Sequence, residues 1–207
     1  MGRTVYAMKK LLITGFDPFG GEAVNPSREA VFSLPAVIGA YEVTRLEVPT
    51  VFGRAAEVVL GAAEELCPDV ILCVGQAGGR SAMTPEVVAI NLREASIPDN
   101  EGNRPVNLPV VPDGPAAYFS TLPVRDMVAS IKESGIPAQL SYSAGAFVCN
   151  DLLYTLLHRY AGTSVLVGFV HVPYLPHQAK EGVPSMALED IVAGLTAAVR
   201  ALPSRDL

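Results

Sequence analysis

Cys149 stands in the stretch S-Y-S-A-G-A-F-V-C-N-D-L-L-Y, residues 141–154, where small residues give way to an apolar helical pattern. A cysteine in the first turn of a helix sits at the positive end of the helix dipole, which favours the thiolate and so a nucleophile. A second reading fits the same residues. Cys149, Leu153, Leu156 and Tyr160 are spaced by four, three and four, which is one helical stripe, and free cysteine is among the most buried residue types. His171 interrupts the apolar run S-V-L-V-G-F-V-H-V just before V-P-Y-L-P. A neutral imidazole there could take a thiol proton near neutral pH, or it could be a hydrogen-bonded histidine at a sheet edge. Glu86, in M-T-P-E-V-V-A-I-N-L, could orient that histidine as the third member of a triad, or could be an exposed residue at a strand start.

Other residues carry less. His158 falls late in a helix and reads as a surface cation, and His177 falls in a proline-flanked loop and reads as solvated. Asp99, Glu101 and Asp113 read as solvated or turn-forming loop residues. T-G-F-D-P-F-G-G lacks the G-K-[ST] of a phosphate-binding loop, and G-Q-A-G-G-R lacks the G-x-G-x-x-G spacing of a dinucleotide fold. Both stretches still let backbone approach a ligand. Phe16 and Phe19 beside the first of them are core fillers or the walls of a small apolar pocket. Cys67, Cys73 and Cys149 are an odd number with no C-x-x-C, and the three histidines show no paired-ligand spacing. The expectation is therefore no disulfide framework, no metal and no cofactor.

Alternating elements must position these residues. Residues 9–14 read as a buried strand and 26–33 as a helix opened by Pro26. Residues 41–48 alternate as a half-exposed strand, 52–66 have helical spacing, and 68–75 form a continuous β-rich run buried on both faces. Strands are expected at 87–92, 138–142 and 164–172, and helices at 124–134, from Cys149 to about 158 or 160, and at 186–201. Residues 97–114 are rich in Pro, Asn and Gly and read as loop. This order implies an α/β layer fold with a mainly parallel sheet covered on both faces. Sites in such folds lie at the carboxyl ends of strands, which points to 15–21, 75–80, 143–149 and 171–174.

The 207 residues suffice for one core, and no internal repeat or linker divides them. Fifteen basic against 21 acidic residues, a net charge of −6, and no basic stripe argue against nucleic acid as a partner. No apolar run has the length of a membrane span. The start, M-G-R-T-V-Y, has neither a secretory pattern nor the Ser or Thr of a myristoylation signal at position 6. The expectation is a cytoplasmic protein with no membrane partner.

Several long motifs, in order, are together specific. L-L-I-T-G-F-D-P-F-G-G-E-A-V-N-P-S, V-P-T-V-F, C-V-G-Q-A-G-G-R, T-P-E-V-V-A-I-N-L, I-P-D-N-E-G-N-R-P-V, G-P-A-A-Y-F-S-T-L-P, G-I-P-A-Q-L-S-Y-S-A-G-A-F-V-C-N and G-F-V-H-V-P-Y-L-P run from about residue 10 to 176. The chain resembles the pyroglutamyl peptidases (pyrrolidone-carboxylate peptidases), cytosolic cysteine peptidases. The resemblance implies one catalytic domain over residues 1–207, an α/β/α sandwich with a twisted, mainly parallel central sheet, and assembly as a homotetramer. It implies that Cys149 matches the nucleophile, His171 the base and Glu86 the orienting acid. One departure stands out: Ser96, in A-S-I-P-D, occupies a position where the family commonly has arginine, and Arg80 or Arg93 could stand in for it. The N-terminal extension before Lys9 is also longer than usual.

The activity so implied is removal of an N-terminal pyroglutamyl residue from peptides through a thioester. The ring is small, neutral and flat, so an apolar pocket suits it. Phe16, Phe19 and Phe147 are the candidate walls, main chain around Gln76 would bond the lactam, Asn25 would fix the first loop, and Arg80 is a candidate oxyanion donor. A phosphorylase or nucleosidase on a related scaffold would have no need of Cys149, and a non-catalytic binder would leave all three triad positions without use.

Overall fold

The protein is described by a computed structural model over residues 8–204. The targeting-signal reading and the longer N-terminal extension fall on residues outside that range, apart from Met8. A six-stranded sheet is built from β1 (Lys9–Phe16), β2 (Val37–Ile38), β3 (Tyr41–Val48), β4 (Val70–Gln76), β5 (Thr84–Pro85) and β8 (Leu166–Val172). Its order is β2-β3-β1-β4-β8-β5. The four central strands run parallel and the two-residue edge strands run antiparallel. No helix among the described residues is long and apolar enough to cross a membrane.

The period-2 rule divides the core. Leu11 and Ile13 of β1, Val70, Leu72 and Val74 of β4, and Val170 and Val172 of β8 face one layer. Helices α1 (Pro26–Ser33), α3 (Val124–Glu133) and α5 (Leu188–Arg200) cover it through Ala30, Val31, Met127, Ile131, Ile191 and Leu195. Leu12 and Phe16, Ile71 and Cys73, and Val167 and Phe169 face the other layer. There α2 (Arg54–Leu66) and α4 (Val148–Arg159) lie, with Val59, Ala63, Leu152, Leu153 and Leu156 inward. Every central position is thus covered, which is why β1, β4 and β8 read as unbroken apolar runs.

Two expected strands take a different form. Residues 87–92 do not continue the sheet. The chain adds β5 to the edge of β8, then turns away so that β6 (Val88–Ile90) pairs with β7 (Ala117–Phe119) in a separate two-stranded ribbon. Residues 138–142 run beside residues 83–87 but form only isolated bridges at Ala138 and Ser141. The amides and carbonyls meet in parallel fashion: Met83 N–H to Pro137 O, Gln139 N–H to Met83 O, Ser141 N–H to Pro85 O and Val87 N–H to Ser141 O. The missing rung belongs to Pro85, which has no N–H, so one residue breaks the ladder in its middle.

The first turn of α1 rests directly on the end of β1. The Phe16 amide donates to Ser27 Oγ, 3.0 Å, and a Cβ on Gly15 would lie 2.7 Å from both Arg28 Cα and the Ser27 carbonyl oxygen. These are backbone atoms that no rotamer change can move. Gly15→Ala is expected to cost about 1–3 kcal/mol, read as a lower denaturant midpoint at unchanged slope.

Candidate active site

The chain passes from β1 to β3 on one side and from β3 across to β4 on the other. The crevice beyond the carboxyl ends of β1 and β4 is therefore the switch point where α/β folds bind ligands. His171 ends β8 beside it. Alternation puts His171 on the same face as Val167 and Phe169, and its ring stands 4.6 Å from that of Phe169. In register with His171 on β4 is Gly75. A Cβ there would lie 2.7 Å from Phe169 Cζ and 3.0 Å from Cys149 Sγ. The glycine leaves the space the thiol occupies, on the strand next to the histidine and at its level.

Cys149 is the second residue of α4, half-buried behind the N-cap residue Phe147. The helical stripe is real: Leu153 and Leu156 lie in the core while the thiol, on the same stripe, packs against its edge, half-buried. The thiol is not activated by the helix. Burial, then the charge of Glu86 and the neighbouring Cys73, push it up to about 12, against the pull of Arg80. A helix terminus contributes roughly 0.3–1 kcal/mol at exposed sites, too little to offset burial. The resting group is a thiol that needs a base.

His171 has a carboxylate partner. His171 Nδ1 lies 2.7 Å from Glu86 Oε1, and both side chains are buried, Glu86 to zero exposure. Burial alone would raise the Glu86 carboxyl. The hydrogen bond and charge of His171, with Ser141 and Arg80, outweigh it and hold the group below the usual carboxylate range. An ionised carboxylate only accepts, so Nδ1 carries the proton, and in a neutral imidazole Nε2 then holds the lone pair.

The remaining expected residues divide. Phe19 and Phe147 form an aromatic corner, ring centroids 6.1 Å apart, and Phe52 packs edge-on against Phe147 at 5.2 Å. Phe16 is not a wall: it is 2% exposed and packs in the core against Phe169. Asn25 is buried as the N-cap of α1, accepting from Ser27 N–H and donating from Nδ2 to Asp17 O, so it acts on the loop and not on a bound molecule. Gln76 ends β4 at the crevice, and its Oε1 accepts from Gln178, which also donates to Val24 O. Arg80 is turned away from an oxyanion role, its guanidinium bonded to Glu86, Thr84 and the Ser143 carbonyl. Arg93 is likewise committed, to buried Asp151 at 2.6 Å. Neither arginine is free to replace the one absent at exposed Ser96.

Sequence reasoning missed Phe52, Asp151 and the role of Asp99. Phe52 follows the end of β3, so the strand-end rule that found the other loops covers it. Asp151 accepts from Gly53 N–H as well as Arg93, and nothing in its local sequence marks that. Asp99 is buried, and its carboxylate takes the amides of Phe52, Glu101 and Asn103. Burial raises its carboxyl, but Asn103 and these amides bring it below the ordinary range. Asn100 adds bonds to Asp17 and Pro18. Residues 99–103 are therefore latched to the loop that carries Phe19.

The chain matches the family model described as pyroglutamyl peptidase over residues 9–204. It is 54% identical over 197 residues to the pyrrolidone-carboxylate peptidase of Levilactobacillus brevis, covering 93% of this chain and 97% of that one. The pyrrolidone-carboxylate peptidase of Streptococcus pyogenes is 50% identical over 198 residues, covering 93% and 92%. Among solved structures, pyroglutamyl peptidase I of Bacillus amyloliquefaciens superimposes with a TM-score of 0.92 at 47% identity, covering 96% of this chain and all of that one. The pyrrolidone carboxyl peptidase of Thermococcus litoralis gives 0.89 at 37%, covering 94% and 93%.

The depressed carboxyl of Glu86 fixes a sign. Its stabilising contribution is complete above the unfolded-state value near 4.5 and is lost as pH falls through the lower folded-state value. Glu86→Gln is expected to be less stable than the wild type at pH 7. The two unfolding free energies should converge as the pH is lowered from about 5 towards 3 in a denaturation series. A gap that stays constant would contradict the assignment.

Proposed function

The chain belongs to the pyroglutamyl peptidase family, cysteine peptidases that remove an N-terminal pyroglutamyl residue, and from that premise we propose that Cys149 is its nucleophile, His171 its general base and Glu86 the acid that orients the base. The observation that carries this reading is the 2.7 Å contact of His171 Nδ1 with Glu86 Oε1, with the thiol seated over Gly75, the residue in register with His171.

The thiol is protonated at neutral pH, so deprotonation accompanies attack. His171 Nε2 takes the Cys149 proton as sulfur adds to the carbonyl carbon of the pyroglutamyl amide. The oxyanion is held by backbone N–H groups of the first turn of α4. Phe147 provides no side-chain cap that would compete for those donors. The imidazolium then gives its proton to the leaving amine, and a thioester remains. Water, activated by the same imidazole, hydrolyses the thioester to release pyroglutamate and the free thiol.

The lactam has no α-amine to grip with a carboxylate. Phe19 and Phe147 wall the ring, Phe52 braces Phe147, and main chain at Gln76 bonds the lactam. Phe16 and Asn25 support these groups from behind. Residues 1–207 act as one catalytic domain, and the family resemblance supports a homotetramer working in the cytoplasm, which sizing by light scattering and cell fractionation would check.

The direct test is hydrolysis of a chromogenic pyroglutamyl amide beside the matching prolyl amide. Freshly reduced wild type should turn over the first alone, and Cys149→Ser should lose about a thousandfold or more in kcat. Turnover retained by Cys149→Ser would remove the nucleophile assignment.

A further inference from the structure

Arg80 lies in the turn after β4, its own amide bonded to Ala77 O and Gly79 before it at positive φ. Its Nη1 donates to Thr84 Oγ1 at 2.6 Å and to Glu86 Oε1 at 2.9 Å, and its Nη2 donates to the Ser143 carbonyl at 3.3 Å. The oxygen it holds on Glu86 is the one that faces His171 Nδ1. Thr84 is in register with His171 across the β5–β8 edge. Ser143 begins the small-residue segment that leads into α4 and Cys149. One guanidinium therefore spans the strand edge that carries the acid and the segment that delivers the nucleophile.

We propose that Arg80 is a positioning residue of this site: it fixes the Glu86 carboxylate against His171 and ties that carboxylate to the segment before α4, so that base and thiol are set against each other. The inference rests on the Cys149, His171 and Glu86 reading. The planar fork suits the task, because two nitrogens can hold separate acceptors in fixed directions, which an ammonium cannot do.

Charge gives a second consequence. Glu86 and His171 face each other, Arg80 from the turn after β4 and the Cys149 thiol from α4, with the buried Cys73 thiol on β4 also close to Cys149. Of these, Arg80 alone carries a permanent positive charge. Without it the Glu86 carboxylate is less compensated, and the imidazolium form of His171 is favoured. The neutral imidazole that accepts the thiol proton then forms only at higher pH.

The test compares wild type, Arg80→Met, Arg80→Lys and Cys149→Ser on the chromogenic pyroglutamyl amide across pH. The rate of Cys149 alkylation by iodoacetamide is followed in parallel by mass spectrometry. Arg80→Met should lose about tenfold or more in kcat with KM changed by less than about threefold. Its acid limb, in both kcat/KM and alkylation, should move to higher pH by roughly half a unit or more. Arg80→Lys should return the limb towards the wild-type position while kcat recovers only in part. An unmoved limb in Arg80→Met, or a loss wholly in KM, would overturn the proposal. If Arg80→Met does not fold, full kcat in Arg80→Lys overturns it and a reduced kcat with a wild-type limb supports it. Cys149→Ser separates the two readings. Turnover retained there removes the triad and this proposal together. Loss of turnover there, with a wild-type profile in Arg80→Met, removes Arg80 alone.

Discussion

A carboxylate with no exposure to water stays ionised only where other groups replace its hydration, and Glu86 is such a carboxylate. His171 and Arg80 reach the same oxygen, one from the sheet and one from the turn beyond it. Much of the local architecture serves that meeting. β5 is only two residues long, yet it brings Thr84 level with His171 and leaves Glu86 as the next side chain but one. The Glu86 amide still donates to the Phe169 carbonyl of β8 before the chain departs into the β6–β7 ribbon.

The sheet sets the rest by register and alternation. Because Gly75 pairs with His171, the empty face of one strand lies beside the imidazole of the next. Because Phe169 and His171 alternate onto the α4 layer, the Phe169 ring packs against the imidazole and close to the face of Gly75 that Cys149 Sγ covers. On the far side of α4, Asp151 joins Gly53 and Arg93. The start of α4 and the segment before it thus lie between two arginine–carboxylate pairs, Arg80 with Glu86 and Arg93 with Asp151.

The layer order and most elements were legible because β1, β4 and β8 are covered on both faces and so read as apolar runs. The helix over 26–33 was legible because Asn25 and Pro26 mark its start in one dimension. The strand over 138–142 was not, since its ladder is broken by a proline more than fifty residues away. Cys149, His171 and Glu86 were legible as types near strand ends, but only the order of motifs favoured the proposed nucleophile reading of Cys149 over a core cysteine. Local sequence favoured an exposed Glu86, whereas the fold buries it, because the partners that make burial tolerable come from residues 80 and 171. Phe16 and Phe19 sit three residues apart with similar neighbours. Phe16 is the last residue of β1 and its pleat turns it into the core, whereas Phe19 lies beyond the strand in the loop, half-buried against Phe147.

A thiol held at about 12 by its burial is silent towards much of the chemistry that damages cysteines. Alkylating agents and peroxide react with the thiolate, so here their attack depends on a base that takes the thiol proton. In the proposed mechanism the nucleophile comes into being only as its proton moves to the imidazole, in company with a carbonyl carbon in reach. Burial thereby favours chemoselectivity: an electrophile that docks in the aromatic corner beside α4 gains over one that does not. Inhibitors of this site would draw their selectivity from the ring they carry, and a bare warhead would meet the exposed Cys67 sooner than Cys149.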